Sequence, residues 1–271
     1  MTMRSGLPLP VIQTFRPMII RKLLEFSCLA ILLLVSNITN AAQPTVVIDP
    51  GHGGGSPSGS ALEKSLSSPN NAKTPSGVME KDLTLELSMA IQRALEIPEQ
   101  ERGPFHCVLT RTTDTNPDFI TRATIAAESK PEVLISIHFN ASTRHNATGT
   151  VTMIHNKQNN PNYARDLAFA DGLAAAVSSA VAGFIPGAKP RATIDDSNLH
   201  GGSGSNFFYQ LSKHPSMKDV PTCFLEVEFI DRPDVDEKLI AHRKDAFPKI
   251  AQSIARYLSE YLALARTPST H

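Results

Sequence analysis

VVIDPGHGGG, residues Val46–Gly55, contains the most informative turn of the sequence. Its first four residues favour a buried β-strand, and Pro50-Gly51 ends that strand just before His52. The glycines that follow make a loop with almost no side chains. Enzymes of the α/β class keep their functional residues in such loops, at the carboxyl ends of strands. The role of His52 therefore depends on which other side chains converge on it.

Apolar, β-branched runs alternate with amphipathic segments, a pattern typical of a single α/β domain. The predicted strands are Thr45–Asp49, His106–Thr110, Val133–Phe139, Gly149–His155 and Thr222–Phe229. The first predicted helix runs from near Glu80 to just before Pro98, and the second covers Asp118–Ser129. The third has Asn160 as its N-cap and Pro161 at its first position, and it runs to about Gly183. The fourth runs from Asp234 to Ala265 with a bend at Pro248. Two polar stretches, Gly53–Ser76 and Gly187–Gly204, are predicted to be surface loops.

The first 41 residues have the pattern of a secretory signal peptide. Basic residues precede the apolar run Cys28–Val35, and cleavage after Ala41 would leave residues 42–271 as the mature domain. The apolar run is shorter than the about 20 residues that a membrane-spanning helix needs. A retained anchor is the alternative interpretation, and the polar residues after the run favour cleavage. We therefore expect an exported protein without stable membrane insertion.

The composition of the mature chain excludes several classes of protein. The whole chain has 26 basic and 26 acidic residues, and the leader contains four of the basic residues and one of the acidic residues. The mature chain therefore has 22 basic and 25 acidic residues, a formal net charge of about −3. This charge does not suggest a nucleic-acid partner or an anionic membrane surface. Cys107 and Cys223 are too few for a disulfide scaffold, and both lie in apolar runs. We expect two buried free thiols.

Three candidate metal ligands lie at the ends of predicted elements. His52 follows the first strand, His138 ends the apolar strand VLISIHFN, and Glu80 begins the first helix, where the helix dipole favours a carboxylate. Each residue taken alone is more often structural or solvated. Two imidazoles and one carboxylate with an open fourth position, however, are a known arrangement for catalytic zinc, which lowers the pKa of a bound water to about 7. The combination predicts a Zn²⁺ site.

The strand PTCFLEVEFI carries two carboxylates in an otherwise apolar run. Burial of Glu226 without a partner would cost several kcal/mol, so its side chain should face a metal, a partner or a cleft. Glu228 lies two residues further on, and strand alternation predicts that it shares the face of Glu226. Neighbouring carboxylates raise each other's pKa, which suits general acid–base catalysis.

Five segments resemble, in order, the zinc-dependent N-acetylmuramoyl-L-alanine amidases of the Amidase_3 type. They are VVIDPGHGG, GVMEKDLTLEL, VLTRTTDT, ITRATIAAESKPEVLISIHFNAS and PTCFLEVEFIDRP. The resemblance implies a mixed sheet of about six strands flanked by helices. It implies His52, Glu80 and His138 as zinc ligands and Glu226 as the catalytic glutamate, with Asn140 and Arg122 at recurrent family positions. We assign no chemical step to Asn140 or Arg122.

The resemblance also implies the reaction. The substrate is peptidoglycan, and the bond cleaved joins the lactyl group of N-acetylmuramic acid to L-alanine of the stem peptide, in wall remodelling and daughter-cell separation. Glu226 would take a proton from the zinc-activated water and return it to the departing nitrogen. A periplasmic location fits an exported amidase that acts directly on the wall. A zinc peptidase that cuts within the stem peptide and a non-catalytic wall-binding or activating protein are the alternatives.

Two departures from the family pattern bear on the site. The loop Gly53–Ser76 is longer than usual, and Glu228 stands where the family commonly has a small residue. Glu228 and Asn140 are therefore weak candidates for substrate binding. Some family members cover the zinc with a helix that a protein activator removes. Residues 156–204 contain no acidic segment with ligand-like spacing, so we expect an open site that needs no activator.

Overall fold

The computed structural model describes residues 43–55, 67–97 and 104–266. The predicted signal peptide lies outside the described residues, as do Pro98 and residues 56–66 of the loop after His52. Residues from Gln43 onward belong to one compact unit, in agreement with the predicted single domain. Among the described helices, none combines the length and apolar character needed to cross a membrane.

Six strands form one mixed sheet, as expected. Their order across the sheet is β2-β1-β3-β6-β4-β5, and every neighbouring pair is parallel except β6 and β4. The strands are β1 (Thr45–Pro50), β2 (His106–Leu109), β3 (Val133–Asn140), β4 (Val151–Ile154), β5 (Ile194–Asp195) and β6 (Thr222–Phe229). The parallel strands β1, β3 and β6 lie side by side, so their carboxyl ends meet at one edge of the sheet.

Helices cover both faces of the sheet. They are α1 (Glu80–Glu96), α2 (Phe119–Ser129), α3 (Tyr163–Val181), α4 (Asn206–Ser212), α5 (Pro233–Val235) and α6 (Arg243–Arg266). Helices α1, α3 and α6 pack on one face through residues such as Leu83, Leu173 and Ile250. Helices α2 and α4 pack on the other face through Ala123 and Phe207. Cys107 and Cys223 are buried free thiols, which confirms the prediction.

Most element bounds agree with the sequence prediction within two residues, and β6 agrees at both ends. The structure adds β5, in the stretch Gly187–Gly204 that was predicted to be irregular, and the short helix α4. Strand β5 has only two residues and carries no periodic signal, so alternation could not reveal it. The β4 prediction was too long, because the strand covers only Val151–Ile154, of which Val151–Met153 pair with β6.

Two helix predictions were wrong in detail. Asn160 does not cap α3, because its side chain accepts from Asn162 N and donates to Asp166 while the helix begins at Tyr163. The predicted helix from Asp234 to Ala265 is interrupted by a π-helical turn, Asp236–Ile240, before α6 begins at Arg243. The Asp236 carboxylate accepts hydrogen bonds from the backbone N–H and hydroxyl of Ser76, which fixes this turn against the β1–α1 connection.

Candidate metal centre

The turn after β1 places His52 under the carboxyl end of β3. His52 has a φ of 61°, a left-handed conformation that costs a non-glycine residue of order 1–3 kcal/mol unless its surroundings fix it. Gly51 is required by close approach, because a Cβ at this position would lie 2.3 Å from Cε1 of His138. The Pro-Gly-His sequence therefore brings the backbone of β1 directly against the side chain of His138.

His52, Glu80 and His138 meet at this point. Their candidate ligand atoms all lie within 4.8 Å of one another. Oε1 of Glu80 lies 3.1 Å from Nε2 of His52 and 3.2 Å from Nδ1 of His138. The Glu80 carboxylate is fixed by backbone N–H groups, since Ala72 donates to Oε2 and Phe139 donates to Oε1.

The hydrogen bonds of His52 leave one lone pair for a cation. Its Nδ1 lies 2.8 Å from the carbonyl oxygen of Ser68, so Nδ1 carries the proton and donates it there. Nε2 then carries the lone pair, is buried, and has no hydrogen-bond partner. A lone pair directed towards a second acceptor, Glu80, is stabilised only when an electrophile lies between them. A metal ion fits this donor set of two nitrogens and one carboxylate oxygen.

The ionisation of the ligands also suits a metal. Burial opposes ionisation of Glu80, but the adjacent imidazoles of His138 and His52 lower its pKa to about 2. Burial lowers the pKa of His138, and the nearby His52 lowers it further, although Glu80 opposes both. Glu80 is therefore an anion at neutral pH and His138 a neutral imidazole, which are the forms that bind metal ions.

A buried ion pair supports the turn from beneath. Nη1 of Arg122 donates to Asp49 Oδ1 at 2.7 Å, and Nη2 donates to the carbonyl oxygen of His52 at 2.8 Å. Asp49 also accepts from the hydroxyls of Ser136 and Thr110. Burial opposes ionisation of Asp49, but these partners together lower its pKa. Arg122, a recurrent family position in the sequence, is thus committed to the backbone and to Asp49.

Arg111 holds the same turn from the other side. Its guanidinium donates to the carbonyl oxygens of Pro50 and Gly51, both at 2.9 Å, and the Thr84 hydroxyl donates to Gly51 O at 2.8 Å. Burial and the neighbouring charge of Arg122 lower the pKa of Arg111 to about 10, so the guanidinium of Arg111 remains charged at neutral pH. Two cations and one hydroxyl thus bind the three carbonyl groups of residues 50–52.

Glu226 lies beside the three ligands on the neighbouring strand. Its register partner on β3 is His138, so the two side chains occupy the same face at adjacent positions. Oε2 of Glu226 is buried and has no hydrogen-bond partner. Burial and the negative charge of Glu80 raise the pKa of Glu226 well above its usual value. This carboxyl group is available for proton transfer next to the metal centre.

The family model for N-acetylmuramoyl-L-alanine amidases (Amidase_3) matches residues 46–260. The chain belongs to this family. The matched region contains every element from β1 to most of α6, including the three candidate ligands and Glu226.

Individual relatives agree with the family assignment. The amidase AmiC of Neisseria meningitidis serogroup B is 25% identical over an alignment of 251 residues, and the match covers 81% of this chain but only 54% of that protein. The chain thus spans about half the length of this relative. Among solved structures, amidase AmiC2 of Nostoc punctiforme is 25% identical with a TM-score of 0.56, covering 81% of this chain and 97% of that one. The CwlD amidase of Clostridioides difficile, solved in complex with the GerS lipoprotein, shares the fold at 19% identity and a TM-score of 0.56, covering 82% of this chain and all of that one.

In this amidase fold, Glu228 does not share the setting of Glu226. A β-bulge pairs His138 with Glu226 but Asn140 with Phe229, so strict alternation fails at Glu228. Glu228 is fully buried, and its Oε1 accepts from the backbone N–H groups of Gly149 and Phe229 at 2.8 and 2.9 Å. The prediction that Glu228 shares the face of Glu226 was wrong, because the bulge shifts Glu228 out of that alternation. Glu228 fixes the start of β4 to the end of β6.

A cleft of about 470 Å³ opens beside the metal centre of this family member. His52 and His138 line its inner end, and its walls are formed by the segments around Ser67–Ser68, Phe119 and Ser203–Phe207. The stretch before β6 therefore contributes a wall, and none of the residues it places in this cleft is acidic. Asn140 does not line this cleft but lies in a second pocket, beside Phe229.

Sequence reasoning missed Asp49, Arg111 and Thr84. Asp49 and Arg111 lie inside the segments VVIDPGHGG and VLTRTTDT, but Asp49 was predicted only as the end of a strand and Arg111 was assigned no role. A charged residue that directly follows an apolar strand was the available signal, because burial of such a charge requires a partner.

Proposed function

We propose that this protein hydrolyses the amide bond between the lactyl group of N-acetylmuramic acid and L-alanine of the stem peptide, with Zn²⁺ held by His52, Glu80 and His138. The observation that supports this most is the buried, unpartnered Nε2 of His52 facing Glu80, together with the unpartnered Oε2 of Glu226, which lies on the strand next to that of His138. A donor set of two imidazoles and one carboxylate leaves a coordination position open, as catalytic zinc requires.

The residues of the chain have distinct tasks in this reaction. When bound, zinc would supply Lewis-acid activation of the water and of the amide carbonyl. Glu226 takes a proton from the attacking water at Oε2 and returns it to the nitrogen of the departing L-alanine. Its raised pKa makes Glu226 a stronger base towards the attacking water than a carboxylate of ordinary pKa, and the protonated carboxyl then holds this proton for the departing nitrogen.

The same proposal covers the organisation and location of the protein. Residues 1–41 form a cleaved signal peptide, and residues 42–271 form the catalytic domain that acts in the periplasm. There it contributes to wall remodelling and to the separation of daughter cells. Peptidoglycan is the substrate, and no nucleic acid takes part.

Metal removal and product analysis test the proposal. The protein freed of its leader is incubated with purified peptidoglycan before and after chelation, and the released fragments are examined by mass spectrometry. We expect intact stem peptides with L-alanine at the amino terminus, loss of activity with the chelator and recovery with Zn²⁺. Fragments cut within the stem would instead identify a peptidase. Undiminished turnover in protein shown to be metal-free by elemental analysis would reject the metal centre.

The need for a partner is tested in the same assay. We propose that the open cleft makes the purified protein active alone. CwlD was solved with the GerS lipoprotein, so a protein partner has a precedent in this fold. Zinc-loaded protein that is inert on peptidoglycan until an envelope extract is added would contradict an open site and identify an activator.

A further inference from the structure

A second pocket lies on the same face of the sheet, on the opposite side of Glu226 from the cleft. The register pairs His138 with Glu226 and Glu226 with Val151, so these three side chains form one row across β3, β6 and β4. His138 lines the cleft, whereas Val151 lines the second pocket. We call it the β5-side pocket; its volume is about 330 Å³, and its lining residues are Asn140, Val151, Arg191, Ala192, Ile194 and Phe229.

The two pockets differ in charge. The cleft combines the hydroxyls and amides of Ser67, Ser68, Ser203 and Asn206 with aromatic rings from Phe119, Phe207 and Phe224. Its guanidinium group, that of Arg122, is already bound to Asp49 and to backbone carbonyls. Neutral polar groups beside aromatic rings suit a sugar, which presents hydroxyl groups and C–H faces.

The β5-side pocket carries an available cation. The guanidinium of Arg191 lies over the ring of Phe229, 5.7 Å from its centroid, and donates one hydrogen bond to Thr148 O at 3.2 Å. Within the described parts of the chain, no carboxylate lies at ion-pair distance from Arg191. A guanidinium has five N–H donors, so most of its donors remain free for a ligand. The backbone N–H of Arg191 donates to Thr150 O at 2.8 Å, which fixes the base of the side chain.

Backbone geometry makes this position of Arg191 possible. Gly149 has a φ of 107°, and a Cβ there would lie 2.6 Å from the carbonyl oxygen of Lys189 and 3.1 Å from Cγ of Arg191. The glycine therefore allows the loop before β5 to pack against the start of β4. Thr150, which anchors Arg191, precedes Val151, the register partner of Glu226. Arg191 thus lies within about two strand spacings, roughly 10 Å, of the catalytic carboxylate.

We propose that the β5-side pocket binds the stem peptide and that Arg191 pairs with a carboxylate of that peptide, while the cleft binds the sugar. This inference rests on the amidase function proposed above. An extended peptide advances about 3.5 Å per residue, so a carboxylate within the first three residues after the scissile amide is within reach. A guanidinium is well suited to this group, because it can donate two parallel hydrogen bonds to one carboxylate.

Two soluble muramyl peptides of identical sequence test the proposal, one with free stem carboxylates and one with these converted to primary amides. We expect the zinc-loaded wild type to cleave the acidic substrate with a kcat/KM about tenfold higher, mainly through KM, since a charge-assisted hydrogen bond contributes about that factor. R191M should lose this preference and R191K should retain part of it. The preference of the wild type should also shrink at high salt.

A neighbouring cation provides the control. Lys189→Met removes an exposed positive charge from the same loop and should leave the preference unchanged. Equal cleavage of the two substrates by the wild type, or an unchanged preference in R191M, would overturn the assignment of Arg191. Failure of the zinc-loaded wild type to cleave either substrate or purified peptidoglycan, even with the envelope extract added, would instead reject the amidase function itself, so the two failures are distinguishable.

Discussion

The turn after β1 and the end of β6 both supply functional groups to the metal centre, but they are built in opposite ways. In the turn, every backbone carbonyl from Pro50 to His52 is bound by a buried guanidinium, and His52 Nδ1 is fixed by Ser68. At the end of β6, Glu226 Oε2 has no hydrogen-bond partner at all. In the turn the backbone carbonyls all have donors and only the ligand atom, Nε2 of His52, lacks a hydrogen-bond partner, whereas at the end of β6 the free atom is a carboxyl oxygen.

The difference reflects what each group must do. A metal ligand must stay in one geometry, and the surrounding hydrogen bonds provide this by holding the backbone of His52 in its left-handed conformation. A proton-transfer group must change its ionisation state during the reaction, and permanent hydrogen bonds to its carboxylate form would lower its pKa. We therefore expect substitutions in the turn to change metal affinity, and substitution of Glu226 to change turnover alone.

The largest effect is expected for Glu226→Gln. The amide has nearly the same shape but cannot accept a proton, so kcat/KM should fall at least about 100-fold. Glu226 lies outside the group of three ligand residues, so the metal content should remain that of the wild type. Steady-state kinetics at equal zinc occupancy, measured by elemental analysis, test this expectation. A variant that loses its zinc together with its activity would place Glu226 among the ligands and remove the contrast between the two regions.

A smaller effect, on metal affinity, is expected for Gly51→Ala. The new methyl group would lie 2.3 Å from Cε1 of His138, so the imidazole has to move away from Glu80. Displacement of a ligand should weaken Zn²⁺ binding about 10- to 100-fold, the range seen when the support of a metal ligand is lost. Competition with a chromogenic chelator measures the dissociation constant.

Gly55→Ala is the matched control in the same loop, because no atom lies within 4 Å of a Cβ added there. It should bind zinc like the wild type. Equal affinity in both variants would mean that the ring of His138 does not depend on the close approach of Gly51, and the importance of the turn geometry would be refuted.

The sequence predicted some parts of this comparison better than others. His52, Glu80 and His138 were predictable because each stands at the end of a strand or helix, where parallel topology gathers side chains. The ion pair that supports the turn could not be predicted, because Arg122 and Asp49 are separated by 73 residues and pair only in the folded sheet. Strand β5 was too short for a periodic signal. The bulge in β6 was missed because alternation assumes that one residue always faces one partner.

The smallest effect on turnover is expected for Glu228→Gln, which tests whether the bulge separates the two carboxylates of β6. Both backbone hydrogen bonds of Glu228 end on Oε1, and a glutamine keeps an oxygen there. Burial already raises the pKa of Glu228, although the N–H groups of Phe229 and Gly149 oppose the shift, so an uncharged side chain should be well tolerated. We expect kcat/KM within about threefold of the wild type, because no step of proton transfer passes through this side chain.

Glu228→Ala sharpens the same test. It leaves the N–H groups of Gly149 and Phe229 without an acceptor inside the protein, which should lower the free energy of unfolding by about 1–3 kcal/mol. Chemical denaturation measures this loss, and kinetics at equal zinc occupancy measure turnover. A stable Glu228→Gln protein whose kcat/KM falls as far as that of Glu226→Gln would show that the carboxylate of Glu228 reaches the reacting atoms. The bulge would then not separate a catalytic position of β6 from a structural one. The comparison with the turn of His52 would then have to include both Glu226 and Glu228.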